Sequence, residues 1–246
     1  MTFFDRDGKS ISAQDFINYY QECYYLQGPE SKQFIKDVSV NSRIAESRIE
    51  NILDTGIQDK DDVNFLLAWK IGGIDHAKSE DEKSIQYIAS WKGTAVTVKN
   101  GAFQFSCARD PFCKFCEGIV KIAHDYQGPY DDNTKKSILS DILREARDAK
   151  VTGFGPVYFL TLLYFVSKGC SPIFDRCAYK AVKAVCCEKK PTEIWYENPS
   201  GKSKDSILKV VNDYKWYLER VFGTSVIKRT VDRALWVYGH NSVWIK

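Results

Sequence analysis

This chain has no low-complexity tract, no internal repeat and only a slight charge excess, +3 over 246 residues. With ordinary apolar content, a well-packed core is expected. So small an excess permits nucleic-acid binding without arguing for it, since many soluble enzymes carry as much. Long hydrophobic runs are also missing. The most apolar stretch, residues 157–166, is far too short to cross a bilayer. Met1-Thr-Phe-Phe-Asp5 passes straight into polar residues, unlike an export leader. No membrane partner and a cytoplasmic location are therefore expected. The three histidines, His76, His124 and His240, are scattered, with neither triad nor metal spacing. Ser200-Gly-Lys-Ser203 lacks the first glycine of a phosphate-binding loop and follows no strand, so no nucleotide cofactor is implied.

The eight cysteines do not read as a disulfide framework in a chain without an export signal. Cys113-Lys-Phe-Cys116, with Cys107 upstream, has ligand-like spacing, but no second pair at comparable spacing follows to close a tetrahedral site. These thiols are read as buried or idle, with no metal and no cofactor.

Length allows one large domain or two small lobes sharing a cleft. Residues 1–11 read as a hairpin turned at Asp5-Arg-Asp-Gly8, and Ser12 with Asp15 as a capping pair for a helix over 13–26. Helical patterns follow at 31–38, 42–55, 60–72 and 80–91, interrupted at Gly56 and Gly72-Gly73. The period then changes to two, in Thr94-Ala-Val-Thr-Val98 and Ala102-Phe-Gln-Phe-Ser106 around Asn100-Gly101, a strong hairpin signal. From Pro111 the pattern is helical again. Asp131-Asp-Asn133 offers caps for a helix to Lys150, with Ile138, Leu139, Ile142, Leu143 and Ala146 on one face. The helix over 157–166 is apolar nearly all round and should be buried. Asp175 opens a helix to Cys187, residues 189–204 form a loop, and helices at about 207–222 and 226–238 finish the chain.

The segment with the most chemistry is Val151-Thr-Gly-Phe-Gly-Pro156, followed after one apolar helix by Ser171-Pro-Ile-Phe-Asp175. Two glycines two residues apart let backbone N–H groups approach a phosphate with no Cβ in the way, at a helix N-terminus that favours an anion. Asp175 then supplies a carboxylate at the start of the next helix. Alone, such an Asp is most often a helix N-cap, and such a Gly-x-Gly is any tight helix–helix turn.

With Gly153 and Asp175 separated by 22 residues, and Pro172-Ile-Phe-Asp175 around the acid, the stretch 151–187 resembles the helix-hairpin-helix DNA glycosylase superfamily. Residues 153–165 are most similar to its bacterial branch related to 8-oxoguanine glycosylases. The resemblance implies a mainly α fold of two helical lobes with small β-hairpins. Residues 1–110 would form an N-terminal lobe and 111–246 the hairpin lobe, with a DNA cleft between them. It implies Asp175 as the catalytic carboxylate, and Thr152, Gly153, Phe154, Gly155, Val157 and Arg176 as DNA contacts. The base would be flipped into a pocket, for which Trp69 and Trp91 are candidates, although aromatics at helical spacing more often pack in cores.

Members that also cut the strand use a Lys that attacks the sugar. The positions where the resemblance would place it carry Val157 and Leu162, and Lys168 lies almost two turns beyond. The expectation is a monofunctional, monomeric glycosylase acting on DNA with a damaged base, an oxidised purine by default. A hypermodified base of viral DNA, in a defence role, is an alternative substrate. A helix-hairpin-helix DNA-binding protein without catalysis is the alternative from another class. Cys177 stands where the family often has His.

Overall fold

Apolar residues at helical spacing, punctuated by capping side chains, make the chain mainly helical. The computed structural model describes all residues except 6, 26–42, 71–73, 76–85, 88, 92–93, 100–101, 106–110, 152–154, 197–202 and 241–246, and gives backbone alone for 43–45, 68, 111 and the strands between 74 and 105. The helical pattern at 31–38 lies outside the described residues. The helices are α1 (Ala13–Cys23), α2 (Arg43–Thr55), α3 (Lys60–Lys70), α4 (Pro111–Asp125), α5 (Asp132–Asp148), α6 (Pro156–Val166), α7 (Arg176–Cys187), α8 (Lys204–Phe222) and α9 (Arg229–His240). None of the described helices is long and apolar enough to cross a membrane.

Local signals fix many boundaries. Strands β1 (Phe3–Phe4) and β2 (Ser10–Ile11) pair antiparallel, with Phe3 opposite Ile11. The Asp5 carboxylate closes their turn by accepting from the N–H groups of Asp7 and Lys9. Ser12 caps α1 by accepting from Asp15 N–H at 3.1 Å, and its hydroxyl donates to the Asp15 carboxylate. Asp131 caps α5 through Thr134 N–H at 2.7 Å, which holds its carboxyl below the usual range.

Strands β3 (Ile74–Asp75) and β4 (Gln86–Tyr87) pair antiparallel, and β5 (Ala89–Trp91), β6 (Thr94–Lys99) and β7 (Ala102–Phe105) form a meander. The β6–β7 hairpin is the one the period of two predicts. The helix expected over 80–91 is not formed where the backbone is described: 86–87 and 89–91 are strands. Ile85, Ile88 and Trp91 have helical spacing in sequence, but the free edge of β6 takes Ala89–Trp91 as a third strand, and ladder pairing overrides local preference.

The chain divides into two compact units, one of Met1–Val40 with Pro172–Lys246 and one of Asn41–Ser171. This division differs from the expected lobes of 1–110 and 111–246. Helix α1 packs on α9, with Phe16 and Tyr20 at 5.2 and 5.3 Å from the Tyr238 ring, so the two ends of the chain share a core. Helix α4 packs instead on α3, joining 111–171 to the segment before it. In the first unit α9 also lies across α7. An added Cβ at Gly239 would sit 1.9 Å from the Cys177 carbonyl oxygen, so only glycine admits this crossing.

Candidate functional site

In the unit of 41–171, α5 and α6 form two packed helices joined by a short connection. Helix α5 ends with Val151 N–H donating to Ala146 O, and Lys150 takes a positive φ of 55° to turn the chain. Three of the expected DNA contacts, Thr152, Gly153 and Phe154, lie outside the described residues. Gly155 caps α6 with Pro156 at the first helical position, where a missing N–H costs nothing. Its backbone is extended (φ −94°, ψ 176°), and a Cβ there would meet nothing within 4 Å. Its φ is negative, and among the described residues none crowds the position. Val157 is half-buried and its carbonyl accepts from the Thr161 hydroxyl.

Helix α6 itself is core. Residues 159–166 are all buried, and the polar Thr161 and Ser167 hydroxyls bond back to carbonyls one turn earlier. Leu162 is fully buried. Lys168 follows the far end of the helix, about 16 Å from its start. There the C-terminal ends of α2, α4 and α6 come together around a pocket of about 270 Å³ lined by Gly56, Gln58, His124, Gln127, Phe165 and Lys168, among others. The Lys168 amine lies against Gly56, where carbonyl-rich helix ends attract a cation.

In the other unit, Pro172, Ile173 and Phe174 are buried and pin the chain just before Asp175. The Phe174 ring packs against Tyr179, Tyr196 and Tyr214, at 6.1, 6.1 and 5.5 Å. Asp175 is thereby set as the N-cap of α7, half-buried, with its carboxylate accepting from Cys177 N–H at 2.7 Å. Phenols surround it. Burial, and then the Asp175 charge, push the Tyr196 hydroxyl up to about 12 and raise Tyr214 as well. Among the described residues neither hydroxyl has a hydrogen-bond partner. A half-buried carboxylate is thus fixed at the positive end of a helix, beside neutral phenols. Arg176 is exposed beside it.

Cys177 and His240, 63 residues apart, also meet here. Cys177 Sγ lies 3.6 Å from His240 Nε2, while His240 Nδ1 lies 3.2 Å from the Trp236 carbonyl. A carbonyl accepts only, so Nδ1 carries the proton and Nε2 accepts from the thiol. No spacing in the sequence signals this pair, which exists only because α9 crosses α7.

Other candidates lie elsewhere. Trp69 is half-buried, edge-on to Phe165 at 6.4 Å, with the Lys70 amine 5.7 Å from its ring. Trp91 is on β5, and its side chain lies outside the described residues. Cys113 and Cys116 are buried on α4, and burial pushes the Cys116 thiol well up; Cys107 is outside the described residues. Among the described residues no three His, Cys, Asp or Glu side chains group to hold a metal. Comparison with family models, with curated proteins and with solved structures finds no match to this chain.

Proposed function

We propose that the protein is a monofunctional DNA glycosylase of the helix-hairpin-helix type, with Asp175 as its catalytic carboxylate. The observation that carries this reading is the half-buried Asp175, fixed by Cys177 N–H at the start of α7 and following the α5–α6 helix pair in the order the resemblance requires. Gly155 supports it from the other unit, as a glycine at the start of α6 whose Cβ position is open among the described residues.

In the reaction, the bond between C1′ and the base nitrogen breaks and its electron pair leaves with the base. The sugar becomes cationic, as in glycoside hydrolysis. The Asp175 carboxylate stabilises that charge and takes a proton from water as the water oxygen bonds to C1′. The released base takes up a proton from solvent, leaving an abasic site. The N–H groups at the start of α6 hold a phosphate of the strand. No lysine attacks the sugar: Leu162 is apolar and fully buried, and Lys168 lies at the opposite end of α6. The default substrate is an oxidised purine, flipped out of the stack.

The test is base release, read by mass spectrometry, from DNAs carrying oxidised, alkylated, deaminated and hypermodified bases. Asp175→Asn keeps an N-cap of equal quality, so the fold is retained. Release should fall by about 10²–10⁴-fold in this variant while DNA binding persists. Tight binding with no release from any DNA, by either protein, would replace the enzyme with a non-catalytic DNA-binding module.

A further inference from the structure

Beyond Asp175 and Arg176, α7 and α8 present lysines and a tryptophan that the base-release chemistry does not use. Helix α7 carries Arg176, Lys180 and Lys183 and no acidic residue. Their spacing of four and three places them on one face, spanning about 10 Å of the helix axis. Among the described residues none of the three forms a salt bridge. Residues 176–222 hold ten basic and six acidic side chains, an excess larger than the +3 of the whole chain. Positive charge is therefore concentrated in this stretch.

Aromatic side chains are interleaved with it. The Lys183 amine sits 5.6 Å from both the Tyr179 and Tyr217 rings, tying α7 to α8. The Arg220 guanidinium lies 5.3 Å over the Trp216 ring. Trp216 is held edge-on to Tyr217 at 4.9 Å, yet is 51% exposed, and Trp195 is 81% exposed. A tryptophan so exposed and braced by an arginine has no packing role that accounts for its position.

We propose that this α7–α8 face binds single-stranded DNA, with phosphates on Arg176, Lys180 and Lys183 and a base stacked on Trp216. Charge complementarity selects a polyanion. The exposed indole selects one whose base faces are free, since stacking needs an unpaired base and every base offers one. A lipid surface fits less well. The helical neighbours of Trp216 are Asn212, Asp213, Glu219 and Arg220, so no aliphatic side chain beside it would enter acyl chains. The inference deepens the glycosylase reading by naming the form of its substrate, and rests on it for the choice of DNA.

The experiment is anisotropy of a fluorescent 20-nucleotide oligothymidine and of a duplex of equal length, titrated over a range of salt. Wild type, Lys180→Ser/Lys183→Ser, Trp216→Ala and Asp175→Asn are compared, with thermal melts as a check on folding. All four proteins should melt in one cooperative transition well above the assay temperature, and wild type should prefer the single strand. Removing the two lysines should flatten the dependence of log affinity on log salt by about 1.4, at 0.7 per phosphate contact. Trp216→Ala should weaken binding roughly 5- to 150-fold with the slope unchanged. Equal affinities and slopes in both surface variants would overturn the proposal, as would tighter binding to duplex, or binding to anionic vesicles with none to the oligonucleotide. Asp175→Asn separates the two readings. Single-strand binding by all but the surface variants, with no base release, leaves this inference standing and removes the enzyme. Base release with unaltered binding in the surface variants removes this inference alone.

Discussion

The unit of 41–171 and the unit formed by 1–40 and 172–246 hold themselves together in different ways. The first has as its centre α6, an apolar helix buried from Phe159 to Val166, in which the Thr161 and Ser167 hydroxyls bond back to carbonyls one turn earlier. Glu46 and Asn64 are exceptions: both are buried, and among the described residues neither amide atom of Asn64 has a hydrogen-bond partner. The second has tyrosines and charges inside. Arg229 and Asp232 pair within α9, and the Arg229 guanidinium also donates to the Tyr24 hydroxyl at 3.1 Å. Arg233 lies 5.3 Å from the Tyr25 ring, and Tyr20, Tyr214 and Tyr238 are buried with raised pKa values. Apolar burial is non-directional and grows with area, whereas buried charge holds only while its partners are in place. The difference teaches where chemistry is to be sought. The carboxylate of interest stands in the unit whose interior holds the Arg229–Asp232 pair and most of the buried tyrosines.

Substitutions can break this contrast. Arg229→Ala should have the largest effect, about 3–5 kcal/mol in urea unfolding, because it leaves the Asp232 charge buried. The double change Arg229→Met/Asp232→Leu should recover most of that loss. If it does not, the pair stabilises the unit outright and the contrast with α6 fails. Leu162→Ala should cost about 2–5 kcal/mol, as a cavity in a core that cannot fully relax, and no second-site polar change should rescue it. Asp131→Ala should have the smallest effect, and a pH-dependent one. The folded carboxyl is held below its unfolded value, so its contribution is present above about pH 4 and lost as the pH falls through the folded value. Melting curves of variant and wild type should converge in acid, and a gap independent of pH would remove the charge from the account.

Much of the local structure was legible because its causes are local. The Ser12 and Asp131 caps, the Asn100-Gly101 hairpin, the buried α6 and the α7 start at Asp175 each follow from side chains within a few residues of one another. The third strand at 89–91 was not legible, because its partner rather than its own pattern decided it. The packing of α1 was not legible for the same reason, since it finds its core on a helix more than 200 residues later. Of the candidate site, the sequence pointed to Asp175 and to the start of α6. It could not point to Tyr196, Tyr214 or the Cys177–His240 contact.

What the sequence carried was the capped helix starts at Ser12, Asp131 and Asp175, since capping acts within one turn. Only the tertiary structure decided what surrounds the Asp175 carboxylate. Tyr196 and Tyr214 stand near enough to feel its charge because Phe174 packs among their rings, and His240 reaches Cys177 because Gly239 lets α9 cross close to α7. Such contacts join residues tens of positions apart, and they form only when burial of apolar surface outweighs the entropy of bringing those segments together.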